Sequence, residues 1–104
     1  NSIGRGTTPI NKFNTSMDLT EATVLYITYS QLGAIKIEKT LEDVTEITAS
    51  SVSVQLTQDD TLALDSALNV DIQIRAGFGG EGGSRVRSNI VTASVEKILK
   101  DGAI

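Results

Sequence analysis

Apolar and polar residues alternate one by one in several separate segments of this chain, and this alternation limits its fold more than any other feature. The clearest cases are residues 52–56 and residues 70–75, and a shorter version occupies residues 35–37. Successive side chains of a β-strand point to opposite faces, so a period of two predicts half-buried strands. Turn-forming residues separate these segments, which favours several short strands over a few long ones.

Other segments add strands of a different kind and one helical turn. Residues 24–27 form a continuous apolar run that is typical of a central strand. Residues 86–95 alternate with a change of phase near Ile90, which indicates a β-bulge. Thr57, followed closely by two aspartates, predicts the N-cap of one short helical turn. About seven short strands with turns between them predict an all-β fold, an immunoglobulin-like β-sandwich.

The chain of 104 residues has the length of a single domain. Residues 1–8 are polar and carry no strong local structure signal, so we predict a flexible N-terminal arm there and a single β-sandwich domain over residues 9–104. The alternating faces predict the following core: Leu25, Ile27, Ile35, Ile37, Val52, Val54, Leu56, Val70, Ile72, Ile74, Val86 and Val91.

Histidine and cysteine are both absent from the sequence. This removes the commonest general base, the commonest metal ligand and every thiol nucleophile. Asp59, Asp60 and Asp65 lack the ligand spacing and the glycine turn of a dedicated calcium site. We therefore predict no enzymatic activity, no cofactor, no metal and no small-molecule substrate.

The charge balance and the apolar runs narrow the possible partners. The formal net charge of -4 opposes binding to the phosphate backbone of nucleic acid. No apolar run approaches the roughly 20 residues of a membrane-spanning helix. We therefore expect the partners to be other proteins or further copies of this chain.

The glycine-rich segment 77–83 invites comparison with phosphate-binding loops. It lacks the following Lys-Ser or Lys-Thr and the helix that such loops require. Two alternatives remain: a mobile hairpin tip, or a tip whose Phe78 and Glu81 contact a partner.

Two other groups of residues are candidates for partner contact. Tyr26 and Tyr29 are three residues apart and face opposite sides of their strand, so one belongs to the core and the other, taken here as Tyr26, to a surface. Arg85 and Arg87 carry positive charge in an otherwise acidic chain. They form either a solvated strand face or a patch that orients an acidic partner.

Five segments together resemble a family of small proteins encoded by phages and prophages of Gram-positive gut bacteria. They follow one another in order along nearly the whole chain: residues 5–9 (RGTTP), 56–62 (LTQDDTL), 70–75 (VDIQIR), 88–91 (SNIV) and 98–102 (ILKDG). These motifs are structural rather than catalytic, and the glycine-rich loop is not among them.

The resemblance implies a virion structural protein with an immunoglobulin-like fold, associated with the head (capsid) or the tail. Its partners would be other virion proteins or itself, and it would be made in the bacterial host cytoplasm and located in the virion. Arg5, Thr7 and Pro9 lie in a matching segment and are therefore further candidates for partner contact. The second hypothesis is an immunoglobulin-like recognition or adhesion module that binds a cell-surface ligand, because fold alone does not separate the two.

Overall fold

The computed structural model describes residues 2–104, which form nine strands, one short α-helix and one 3-10 turn. The strands are β1 (Ser2–Gly4), β2 (Ile10–Asn14), β3 (Val24–Gln31), β4 (Ala34–Thr40), β5 (Val44–Thr48), β6 (Ser51–Gln55), β7 (Val70–Gly77), β8 (Arg85–Arg87) and β9 (Val91–Glu96). The helix α1 spans Gln58–Leu62, and the 3-10 turn spans Leu41–Asp43.

The strands form two sheets that share one core. The larger sheet has the order β1-β9-β7-β3-β4, with β8 also paired to β7, and the smaller sheet has the order β2-β6-β5. Only the pair of β1 with β9 is parallel, and the other pairs are antiparallel. Because β2, β5 and β6 lie in one sheet and β3, β7 and β9 in the other, the strand order is that of an immunoglobulin-like sandwich. The predicted fold class is confirmed.

Two details raise the strand number above the predicted seven or so. The short strand β1 forms in the segment predicted to be an arm. The last strand is interrupted at residues 88–90, so that β8 and β9 each pair with a different part of β7. Ser88 bridges this break, because its N–H donates to the Ile74 carbonyl (2.8 Å) and its hydroxyl accepts from the Ile74 N–H (3.0 Å).

The predicted helical turn is present where the sequence placed it. The Thr57 hydroxyl accepts a hydrogen bond from the Asp60 N–H (3.1 Å), and the Asp60 carboxylate accepts one from the Thr57 N–H (2.8 Å). This reciprocal capping box satisfies two backbone donors at the start of α1. No helix within residues 2–104 has the length and apolar character needed to span a membrane.

Most of the predicted core is buried, with three departures. Val86 is partly buried, Val91 is 40 % exposed at the start of β9, and Ile35 is 62 % exposed. Ile35 leaves the core because the pairing of β3 with β4 shifts register: Tyr29 pairs with Ile37, but Ser30 pairs with Ile35. The extra residue in β4 turns Ile35 to the outer face. The buried apolar residues that were not predicted are Ile3, Leu19, Leu64, Ala76, Ala93 and Val95.

Residues 2–8 differ from the flexible arm that was predicted. Ile3 is only 4 % exposed and lies opposite Val95 in the parallel pair of β1 with β9. The Arg5 N–H continues this pairing by donating to the Glu96 carbonyl (3.0 Å). Ile3 is the one buried side chain of β1. A single inward-facing apolar residue is too short a pattern to be recognised as a strand in the sequence. Asn1 lies outside the described residues.

Candidate protein-binding surface

The outer face of the larger sheet carries the residues that have the strongest claim to a function. Leu25, Ile27 and Tyr29 of β3 are buried in the core, so the alternation of the strand turns Tyr26 outward, where it is 42 % exposed. Of the two tyrosines that the sequence singled out, Tyr29 is the core residue and Tyr26 is the surface residue.

The strand register brings Tyr26 together with three arginines. Tyr26 lies directly opposite Arg75 of β7, and Arg75 lies directly opposite Arg87 of β8. In the adjacent row, Arg85 lies opposite Gly77, which in turn faces Val24. We call Tyr26, Arg75, Arg85 and Arg87 the basic patch. Directly opposed residues on one sheet face have Cβ atoms about 5 Å apart, so Tyr26, Arg75 and Arg87 form a contiguous row.

Arg75 was not among the predicted contact residues. The period of two in residues 70–75 shows that it points away from the core, since Ile72 and Ile74 point inward. Its place beside Tyr26 depends on the pairing of β7 with β3, which links residues about 50 positions apart. The sequence alone contains no signal for that register.

The arginines of the basic patch have no acidic partners. The two salt bridges within residues 2–104 join Arg5 to Asp101 (3.0 Å) and Lys39 to Asp60 (2.6 Å). Among the described residues, the side chains of Arg75 and Arg87 make no hydrogen bond and no ion pair. Like charges placed directly opposite one another destabilise a sheet, so this pair of arginines costs the fold stability and gains nothing inside the chain.

Arg85 has a second role in the same patch. Its guanidinium donates to the carbonyls of Gly80 (2.8 Å) and Ser84 (3.1 Å), both in the glycine-rich loop between β7 and β8. The loop closes on itself through the bond from the Gly83 N–H to the Gly80 carbonyl (3.1 Å). A Cβ atom at Gly83 would lie 1.7 Å from the Phe78 carbonyl oxygen, so only glycine fits there. The loop therefore has a defined conformation, which Arg85 of the basic patch stabilises.

The two loop residues predicted as a contact tip are separated by the structure. Phe78 is partly buried and packs against the core. Glu81 is exposed at the far end of the loop. Glu81 is therefore the one of the pair that is available to a partner, and it lies outside the basic patch.

Arg5, Thr7 and Pro9 lie apart from the basic patch and make contacts within the chain. The Arg5 guanidinium donates to the carbonyls of Leu64 (2.8 Å) and Leu62 (3.0 Å) as well as to the Asp101 carboxylate. The carbonyl of Thr7 accepts from the Thr61 hydroxyl (2.8 Å), and the carbonyl of Pro9 accepts from the Leu56 N–H (2.9 Å). The structure assigns these residues a role in joining the N-terminal segment to the region around α1.

Four titratable groups have shifted pKa values with clear causes. Hydrogen bonds from the Thr20 side chain and backbone lower the pKa of the exposed Asp18 carboxyl. The hydrogen bond from Arg5 lowers the pKa of the exposed Asp101 carboxyl. Burial tends to raise the pKa of Asp60, but hydrogen bonds from Lys39 and Thr57 outweigh it, and the net shift is downward. Burial raises the pKa of Tyr29, whose hydroxyl accepts a hydrogen bond from the Asn11 amide (3.0 Å). None of these groups lies in the basic patch, and their partners are structural.

The described residues offer little to a metal ion. Within residues 2–104, no three Asp or Glu side chains lie close enough together to hold one. The basic patch is shallow rather than deep: one small hollow beside Tyr26 is lined by Arg75 and Arg85, and a second, on the other side of Tyr26, by Thr40 and Glu42. A flat surface with arginines and a tyrosine suits contact with a macromolecule better than enclosure of a small molecule.

Comparison with known proteins adds little to this description. No family model and no curated protein matches the chain. Among solved structures, it is similar to the immunoglobulin-like domain of mouse leukocyte-associated immunoglobulin-like receptor 1, a strand-swapped dimer, with 15 % identity over 90 % of this chain and 84 % of that chain and a TM-score of 0.47. It is also similar to the V domain of amphioxus IgVJ-C2, with 12 % identity over 91 % of this chain and 98 % of that chain and a TM-score of 0.43.

At these identities and scores the likeness carries no functional information, and the strand order alone defines the fold. The molecule is an immunoglobulin-like β-sandwich with a basic, aromatic surface on its larger sheet.

Proposed function

We propose that this domain is a non-catalytic binding module that contacts another protein through the basic patch. The observation that carries the proposal is the pair of arginines, Arg75 and Arg87, placed opposite each other with no carboxylate of residues 2–104 close enough to form a salt bridge with either. A partner that supplies acidic groups removes the like-charge repulsion and gains two charge-assisted contacts.

The composition of the patch supports a protein partner. Arginine and tyrosine are enriched at protein interfaces, where each contributes large contact area and directed hydrogen bonds. A nucleic-acid partner is disfavoured because the whole chain carries a net charge of -4. The partner surface is therefore expected to be acidic and proteinaceous.

We further propose that the module is a structural subunit of a phage particle, associated with the head or the tail. The support for this finer proposal is the sequence resemblance of the five segments, which include the strand of Arg75. The domain would be made in the bacterial cytoplasm and incorporated into the particle by contacts with other virion proteins or with its own copies.

The test combines particle composition with a charge reversal of the patch. Particles are purified from cells that express either the native chain or the double variant Arg75→Glu, Arg87→Glu, and the chain is quantified in them by mass spectrometry. We expect a defined copy number for the native chain and at least a tenfold loss for the variant. The matched control is Lys12→Glu, Lys97→Glu, which makes the same charge change at two exposed lysines outside the patch.

Absence of the native chain from particles would remove the virion proposal. Binding to intact cells that depends on the patch, without incorporation into particles, would favour the recognition module instead. Incorporation that is equal for the patch variant and the control would remove the patch as the binding surface.

A further inference from the structure

The outer face of the larger sheet is electrically divided across its strands. The β7 and β8 side carries the arginines of the basic patch. Asp71 of β7 also faces outward, opposite Ser30, and its carboxylate accepts a hydrogen bond from the Thr92 hydroxyl (2.9 Å). On the β4 side, Glu38 points outward opposite Thr28, and Glu42 of the 3-10 turn lines the hollow beside Tyr26. Both glutamates are exposed, and neither forms a salt bridge within residues 2–104. One face of one chain thus presents unpaired charges of both signs, separated by the strand that carries Tyr26.

We infer that the partner of this face is a second copy of the chain, in a two-fold dimer whose axis runs parallel to the strands. The inference rests on the proposed function, because it takes the basic patch as a binding surface and names its occupant. The arginines and the glutamates lie on the same face, and a two-fold contact requires that one surface carry both of the complementary groups.

The direction of the axis follows from the position of the charges. When two copies of the face meet across an axis parallel to the strands, the β4 edge of one copy lies over β8 of the other, and β3 lies over β7. An axis perpendicular to the strands would set each strand against its own copy and leave Glu38 and Glu42 away from the arginines. It could bring Asp71 of β7 towards Arg75, but the Asp71 carboxylate already accepts a hydrogen bond from the Thr92 hydroxyl (2.9 Å). The first arrangement instead brings the glutamates that have no partner in the described chain to the arginines.

The strand register then predicts the contacts. Thr40 shares a row with Tyr26, Arg75 and Arg87. Arg87 of one copy therefore faces Thr40 of the second copy, with Glu38 and Glu42 to either side of it. Tyr26 of one copy lies over Arg75 of the other, an arrangement that allows stacking of the guanidinium on the aromatic ring.

The size of the face limits the area that the dimer can bury. Strands β3 and β7 have eight residues each, β4 has seven and β8 has three. At about 3.3 Å per residue and about 4.8 Å between strands, they give a plane of roughly 400 Å² per copy. An interface of this size belongs to the weak, transient complexes, so we expect a dimer that exchanges readily with the monomer.

The test uses two single charge reversals, Glu42→Arg and Arg87→Glu. The Arg87 side chain makes no hydrogen bond and no ion pair within the described chain, and Glu42 takes no part in the Thr40–Asp43 capping box, so neither change removes a side-chain bond. Arg85 is avoided because it holds the glycine-rich loop. Each variant alone places like charges opposite each other twice in the dimer. A one-to-one mixture of the two variants places opposite charges together at both positions.

We expect sedimentation equilibrium and native mass spectrometry to show dimers of the native chain. Each variant alone should weaken association at least tenfold, and the mixture should recover it as a heterodimer. The matched controls, Lys12→Glu and Glu46→Arg, make the same charge changes at exposed residues of the smaller sheet and should dimerise like the native chain.

A native chain that stays monomeric up to about 1 mM, the limit of the weakest specific complexes, would overturn the inference. So would a dimer that both variants leave intact, or single-variant losses that mixing does not recover. The experiments distinguish failure of the dimer from failure of the proposed function. If the chain is monomeric but still needs Arg75 and Arg87 to enter particles, the dimer is wrong and the patch binds a different acidic partner. If the chain dimerises but never enters particles, only the virion role is wrong.

Discussion

At the scale of single residues, Arg5 connects three parts of the chain that are far apart in sequence. Its guanidinium bonds to two carbonyls at the end of α1 and to Asp101 near the other end of the chain, while its N–H extends the pairing of β1. The side chain is only 18 % exposed. The backbone acceptors are partly buried, so they have little access to water if the guanidinium is removed.

We predict that Arg5→Ala lowers the free energy of unfolding by about 1–3 kcal/mol, because it leaves two partly buried carbonyls without a donor. Denaturant unfolding measures this change. Asp101→Ala removes only the exposed end of the same network and should cost clearly less. Equal losses for the two variants would mean that the ion pair, rather than the carbonyl contacts, stabilises the region.

Asp60 links stability to pH. Hydrogen bonds from Lys39 and Thr57 hold its pKa below the ordinary value of 3.8 in the folded chain, despite the opposing effect of burial. A carboxyl with a lowered folded pKa stabilises the fold above its unfolded pKa and loses that contribution as the pH falls towards the folded value.

We therefore predict that the melting temperature falls as the pH is lowered from about 5 to below 4, and that Asp60→Asn flattens this part of the profile. Melting curves followed by circular dichroism between pH 6 and about pH 2.5 provide the measurement. Asp59→Asn is the control, since Asp59 is exposed and its side chain makes no hydrogen bond in the described chain. A profile as steep for Asp60→Asn as for the native chain would contradict the assignment.

At the scale of elements, β4 shows where sequence patterns stop being informative. Ile35 and Ile37 are spaced as two residues of one buried face, yet Ile37 is 4 % exposed and Ile35 is 62 % exposed. The register shift that separates them belongs to the pairing of β3 with β4 and leaves no mark on the sequence of β4 itself.

We predict that Ile37→Ala costs roughly 2–5 kcal/mol, as for other buried isoleucines. Ile35→Ala should change the unfolding free energy by less than about 0.5 kcal/mol, as expected at an exposed site. Comparable losses at both positions in equilibrium unfolding would show that β4 pairs with β3 in an unshifted register.

A feature can be predicted from the sequence when it depends on a local pattern, and it cannot when it depends on how distant strands pair. Strand existence, the capped turn after Thr57 and the fold class follow from local patterns and turn chemistry. The basic patch does not, because Tyr26, Arg75 and Arg87 meet only through pairings between distant strands. Arg85 and Arg87 were recognised by their charge, whereas Arg75 and Glu42 required the assembled sheet.

At the scale of the whole molecule, the N-terminal segment is part of the sandwich. Ile3 fills a place in the core, and residues 5–9 bond to the region around α1. The flexible arm predicted for residues 1–8 is replaced, over residues 2–4, by a strand that pairs with β9, the last strand of the chain.

We predict that deletion of residues 1–8 lowers the melting temperature by at least roughly 10 °C, because it removes a buried side chain and the Arg5 contacts together. Calorimetry of the truncated and full chains tests this. Ile3→Ala should reproduce part of the fall, and Thr8→Ala, a change at an exposed side chain, should have almost no effect. A truncated chain that melts within a few degrees of the full chain would restore the flexible arm.

The parallel pairing of β1 with β9 also decides how the domain responds to mechanical load. Ser2 lies opposite Ser94 and Gly4 opposite Glu96, so the chain enters this pair at one end and leaves it at the other. Tension between the two ends of the chain therefore slides the strands past each other and loads all their hydrogen bonds at once. An antiparallel pair pulled from a single end would open one bond at a time. Arg5 lies at the end of the loaded pair and adds its side-chain contacts to the resistance. A stretching force thus has to shear this pair as a whole before β1 leaves the sheet.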